Sequence, residues 1–306
     1  MLNTSNFLAL IGGGNKPKYT KNKVVIWDDY ENEVISEIKI LNPIINFKLK
    51  KDLLFIICQK KIYIFDFNTY DLIEKIDTGD NVRGLFAINN NPDFTIMAYP
   101  AIKDLNKISL KKIKEEKPYS YILNDENIGF LTINYDGNLI AVANDKGTLV
   151  KIYNCKNGEL LKEFERGRSK VEYIFVCFDN KNKFMAISSN KGTIHIFSMK
   201  GIFEKIKEND NTINEKNNKN NINESNQKND ELILPDNDKS FFGNTEKGFA
   251  KVKTNSKTKN ICSFVGKNMI IVISYDNKYY QAEIDIQKGG NCKIIEEKNL
   301  NNLIKK

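Results

Sequence analysis

Apolar residues in this chain come in short runs of four to eight, rich in Ile, Val, Phe and Tyr and bounded by Asn, Asp, Gly or Lys. No long window carries a 3.6-residue apolar period, so the pattern predicts an all-β protein. F-L-A-L-I, K-V-V-I-W-D-D and E-V-I-S-E-I-K-I form a first predicted sheet, and I-I-N-F-K-L, L-L-F-I-I-C, K-I-Y-I-F-D and L-I-E-K-I a second. Continued to the end, the pattern yields six sheets, over about 1–41, 42–79, 80–123, 124–166, 167–253 and 254–298, within one domain spanning 1–306. Two strand pairs share one design. N-L-I-A-V-A-N-D-K-G-T-L-V-K-I-Y begins at Asn138 and F-M-A-I-S-S-N-K-G-T-I-H-I-F ends at Phe197, and their Lys-Gly-Thr turns are about 45 residues apart. Such a period is that of a β-propeller, in which each sheet buries its faces only against its neighbours.

One segment breaks the rhythm. Between Asn209 and Asn229, ten of 21 residues are asparagine, interspersed with Lys and Glu, and such a piece lacks the apolar area to offset its ordering entropy. Residues 201–247 are therefore expected to form a long disordered loop inside the fifth sheet. The loop holds more acidic than basic residues, so any bilayer contact it made would come from the apolar patches Leu232, Ile233 and Leu234, and Phe241 with Phe242, rather than from charge.

Composition narrows the function classes. A net charge of +8 is compatible with nucleic acid or an anionic lipid surface, but the predicted strands show no basic stripe with interleaved aromatics, which argues against nucleic acid. Five scattered cysteines without a C-x-x-C pair suggest neither a disulfide framework nor a zinc site, and fit a reducing, cytosolic compartment. No apolar run approaches the roughly 18 to 20 residues of a membrane span, so any membrane contact would be peripheral. Catalysis has little to stand on. His195 is the one histidine and lies in a strand, and no G-x-S-x-G, H-E-x-x-H or phosphate-cradling P-loop motif occurs. No cofactor is expected.

An anion site has more support. Recognition of a phosphate calls for a guanidinium that binds bidentately, hydroxyl donors and a further cation. Arg166 can supply the fork, Ser188, Ser189 and Thr193 the hydroxyls, and Lys191 and His195 further donors. The strand pleat puts Thr193 and His195 on one side. Lys-Gly-Thr is also an ordinary hairpin turn, and a strand histidine needs no ligand.

Phe164, Glu165, Arg166 and Gly167, placed between the two strand pairs, resemble the signature of the PROPPIN or WIPI family, a phenylalanine or leucine followed by two arginines and a glycine. G-G-G-N-K-P-K-Y followed by K-V-V-I-W-D-D is similar to the subgroup nearest the fourth human WIPI protein. The resemblance implies a seven-bladed propeller of which six blades are readable, the first being absent. It also implies binding of phosphatidylinositol 3-phosphate or 3,5-bisphosphate at two pockets, and a role in autophagosome formation with an autophagy lipid-transfer protein as partner. Peripheral residence on phagophore, endosomal or vacuolar membranes follows, with the long loop entering the bilayer. By that resemblance the second pocket holds Arg166, Ser188, Thr193 and His195. In the first pocket Glu165 replaces the arginine and Asn144 a common serine or threonine, while Lys146, Thr148 and Lys151 remain, so this pocket is expected to be weak or lost unless Arg168 or Lys170 compensates. The competing reading is a protein-binding scaffold propeller with weakened or lost lipid affinity.

Overall fold

The computed structural model describes residues 6–102, 104, 106–206 and 248–302. These form six antiparallel sheets of sequential strands, with one parallel addition. The first holds β1 (Phe7–Ile11), β2 (Lys23–Asp28) and β3 (Glu33–Lys39), and the second β4 (Asn46–Lys50), β5 (Leu53–Ile57), β6 (Lys61–Asp66) and β7 (Leu72–Asp77). The third holds β8 (Ala87–Ile88), β9 (Ile96–Pro100), β10 (Lys107–Lys112) and β11 (Ser120–Leu123). In the fourth are β12 (Ile128–Ile133), β13 (Leu139–Asn144), β14 (Leu149–Asn154) and β15 (Leu160–Glu165). The fifth contains β16 (Ile174–Phe178), β17 (Phe184–Ser189), β18 (Thr193–Ser198) and β19 (Ala250–Lys253), extended by the parallel β23 (Gly290–Asn291). The sixth contains β20 (Asn260–Val265), β21 (Met269–Ser274), β22 (Lys278–Glu283) and β24 (Lys293–Asn299).

Each sheet packs on the next through its own apolar layer. Val24 and Ile26 meet Leu54 and Ile56, Phe55 and Ile64 meet Met97 and Tyr99, and Leu110 and Ile108 meet Leu131 and Val142. Val150 and Phe164 meet Ile187 and Phe197, and Ile194 and Ile196 meet Ile270 and Tyr280. Inner strands β8, β12, β16 and β20 approach one another in turn, as they must when sheets are arranged around an axis. Central strands buried on both faces read as continuous apolar runs, as in L-I-A-V-A-N, whereas β20, N-I-C-S-F-V, alternates because one of its faces is open. Ile261, Val265 and Ile273 stand exposed there, as do Leu10 and Val34 on the first sheet. Among the described residues no buried core joins the sixth sheet to the first.

Glycine makes the repeated turns possible. Gly147 and Gly192 have φ of 66° and 75°, and a Cβ would meet Val171 Cγ2 at 2.3 Å or the Ser256 carbonyl at 2.5 Å. The expected loop over 201–247 needs correction at its start. Residues 202–206 turn into a short helix whose Ile202 is fully buried in the core between the fourth and fifth sheets, with Phe203 and Ile206 packed on it. The apolar patches Leu232, Ile233, Leu234, Phe241 and Phe242 lie outside the described residues. No described helix is long and apolar enough to cross a membrane.

Candidate anion site between the fourth and fifth sheets

Strand β15 ends at Glu165, and the Arg166 amide continues the ladder by donating to Thr148 O at 2.8 Å. Its side chain folds back over the β13–β14 turn. There Nε donates to Gly147 O and Nη2 to Ser169 O, which holds the guanidinium in one orientation, the residue being 7% exposed. Burial depresses the Arg166 pKa, yet no carboxylate pairs with it among the described residues. A buried cation held by neutral carbonyls retains its electrostatic demand for an anion.

The fifth sheet faces it. His195 on β18 stands opposite Ile187 on one side and Lys251 on the other, and Thr193 stands opposite Lys253. By strand alternation Ser189, Thr193, His195, Lys251 and Lys253 share the face toward the fourth sheet. Burial, Arg166 and Lys251 together push the His195 pKa down to about 4, so the imidazole is neutral at physiological pH. Lys191, Arg168 and Lys170 are exposed at the rim, and none of these cations has an ion-pair partner among the described residues. The chain has three arginines in all, and two of them are Arg166 and Arg168. Together these groups make a concentration of uncompensated positive charge with a fixed guanidinium at its base, suited to an anion with several oxygens.

Two expected members of the sites are placed otherwise. Ser188 points to the opposite face of β17, where it is fully buried and its Oγ donates to Asn260 O at 2.6 Å. It staples the fifth sheet to the sixth, and Ser189, one residue on, occupies the face with Thr193 and His195. Ser189 is itself buried, with its Oγ accepting from the Lys191 amide at 3.3 Å. The second correction is Lys151. Its side chain is 7% exposed and its ammonium held by Asp125 and by Glu163 at 3.5 Å, so its charge is already met within the fold. Hydrogen bonding to Lys151 in turn depresses the Asp125 pKa.

Around Lys151 the remaining first-pocket groups are also engaged. Asn144 accepts from the Thr148 and Leu149 amides at 2.9 and 3.2 Å and donates to Glu126 at 3.0 Å and to Thr148 Oγ1 at 3.1 Å. Glu165 lies opposite Leu149 and shares a strand face with Glu163, while Lys146 is exposed in the turn. Asp125, Glu126, Glu163 and Glu165 therefore collect on the third-sheet side of β15, a poor setting for phosphate. Residues 165 and 166, adjacent in sequence, serve opposite sides of the strand. Lys251 and Lys253 went unrecognised in the sequence, and their signal was the period-2 K-V-K of the returning strand.

Sequential antiparallel sheets packed one on the next, with a basic cluster between two of them, define a β-propeller as the class. Residues 17–301 match the PROPPIN family model, and the chain belongs to the PROPPIN family. It is similar to Autophagy-related protein 18e of Arabidopsis thaliana, 29% identical over 97% of this chain and 75% of that protein. SVP1-like protein 2 of Schizosaccharomyces pombe is 32% identical over 68% of this chain, which spans 57% of that relative's length. Two solved structures share the fold. Kluyveromyces lactis Hsv2 superposes with a TM-score of 0.69 at 17% identity, covering 98% of this chain and 85% of that one. Atg21, solved in complex with the coiled coil of Atg16, superposes with 0.72 at 18% identity, over 98% and 83%.

Proposed function

We propose that this protein is a non-catalytic phosphoinositide-binding adaptor that sits peripherally on endomembranes and acts in autophagosome formation or related membrane traffic. The observation that carries this reading is Arg166, buried, fixed by two carbonyls, close enough to His195 to depress its pKa, and without a counter-charge among the described residues. Family membership and relatives named for autophagy support the cellular part. The ligand is a phosphatidylinositol 3-phosphate or 3,5-bisphosphate headgroup, held at one pocket, since carboxylates occupy the other. Affiliation with the subgroup of the fourth human WIPI protein rests on the G-G-G-N-K-P-K-Y and K-V-V-I-W-D-D runs, and a lipid-transfer partner on the family resemblance.

Flotation with phosphatidylcholine vesicles, with and without either phosphoinositide, tests the reading. Recovery at the top of the gradient only with phosphoinositide is expected, and equal recovery in all samples would overturn it. A protein-binding scaffold is the second reading, favoured by a groove of about 440 Å³ between the first and second sheets, lined by Leu41, Tyr63, Phe65 and Leu72 between Lys39 and Lys75. Leu41 is 95% exposed there and Leu72 47%, above the buried Tyr63 and Phe65, and such exposed apolar side chains flanked by lysines suit an acidic, partly apolar protein segment.

A further inference from the structure

We propose that Lys251, on the strand that returns to the fifth sheet after residues 207–247, is a further phosphate-binding residue of the Arg166 site, with Lys253 as its neighbour on the same face. This rests on the phosphoinositide reading and adds a cation from a part of the chain that the family signature does not include. Lys251 lies directly opposite His195 in the β18–β19 ladder, and Lys253 opposite Thr193. Both side chains are exposed and neither has an ion pair or side-chain hydrogen bond among the described residues. The chain enters the strand close to the imidazole, where a Cβ on Gly248 would lie 3.9 Å from His195 Nδ1.

What separates Lys251 from an ordinary surface lysine is how firmly its backbone is held. On one side β19 pairs with β18, and on the other it pairs in parallel with β23, so the lysine sits on an interior strand. Gly290 N donates to Phe249 O and Cys292 N to Lys251 O, each at 2.9 Å. Gly289 crosses so close that a Cβ there would meet Phe249 O at 2.3 Å, and its φ of 67° suits glycine. A connection that could have run free between β22 and β24 is thus used to pin the strand carrying Lys251. Binding groups mounted on rigid strands hold their geometry better than those on loops. Lys251 also acts on the site without ligand, since it is one of the charges that keep His195 neutral. A phosphate monoester bound between Arg166 and Lys251 would neutralise both and hydrogen-bond Thr193 and His195.

Lys251→Met, Lys251→Arg and Arg166→Ala are compared with the parent protein by vesicle flotation and by titration with soluble inositol 1,3-bisphosphate, at low and high salt. The expected result is a loss of roughly three- to tenfold in affinity for Lys251→Met, the range of one exposed charge-assisted contact. That loss should shrink at high salt, be restored by Lys251→Arg, and come with an unchanged melting temperature. Loss with both ligands assigns Lys251 to the phosphate group, and loss with vesicles alone, headgroup binding being unchanged, overturns the assignment. If Lys251→Met binds like the parent while Arg166→Ala does not, the role of Lys251 is wrong and the phosphoinositide reading stands. If Arg166→Ala also binds like the parent, both fall.

Discussion

Replacing Arg166 separates what the guanidinium does for the fold from what it does for a ligand. Within the fold it donates to Gly147 O and Ser169 O, and it ties the 166–171 segment to the β13–β14 turn. Arg166→Ala removes both bonds. Hydrogen bonds of this kind contribute about 1 kcal/mol each, so the fold should lose roughly 1–3 kcal/mol, a few degrees in melting temperature. The lost contact to phosphate is charge-assisted and costs about 1.5–3 kcal/mol in binding, or ten- to a hundredfold in affinity. Arg166→Lys keeps a cation but cannot reach two carbonyls and a phosphate with one planar fork, so it should fall between the parent and the alanine variant. Thermal melting and vesicle flotation on the same preparations measure the two effects. An Arg166→Ala protein that melts cooperatively and floats like the parent would refute the site, because among the described residues no other buried cation faces His195 across these sheets.

Four related expectations complete the picture. Glu165→Arg alone places one guanidinium among Asp125, Glu126 and Glu163, so flotation should change by less than about threefold, the new charge being met by carboxylates; a large gain would show that Glu165 by itself closes the first pocket. Lys151→Met leaves Asp125 and Glu163 without their partner and should cost roughly 1–3 kcal/mol in thermal or urea unfolding, discounted because Asp125 is largely exposed; its vesicle binding should match the parent's. Because the His195 pKa falls from 6.5 unfolded to about 4 folded, the unfolded chain takes up the proton first. Stability from this residue is complete above about pH 6.5 and is lost as pH falls toward 4, by roughly 3 kcal/mol at most, and a His195→Gln protein should show a flatter melting curve against pH over that window. Soluble inositol phosphate should blunt the same loss in the parent, since a bound anion favours the protonated imidazole.

How far the chain could be read without coordinates differs from element to element. Strands such as K-V-V-I-W-D and L-I-A-V-A-N are local patterns, and the Lys-Gly-Thr turns need a glycine at positive φ whatever lies around them, so a propeller was legible from periodicity and turn chemistry. Arg166 and His195 also stood out, as rare residue types in a repeat otherwise filled with lysine and asparagine. Other features depended on what faces what. Ser188 and Ser189 are chemically identical neighbours, and only the packing of the sixth sheet, with Asn260 O within 2.6 Å, turns one of them away from the site. Lys151 reads as a free cation until Asp125, from the connection before β12, closes on it. Lys251 is separated from His195 by more than fifty residues of chain, and its place opposite the imidazole is a matter of strand register. Sequence by itself determined the strands, their repeat and the rare charged residues, because these follow from local propensity and spacing. Tertiary structure decided which of those charges are spent inside the protein and which remain for a ligand, because pairing across sheets depends on distances that no local pattern contains.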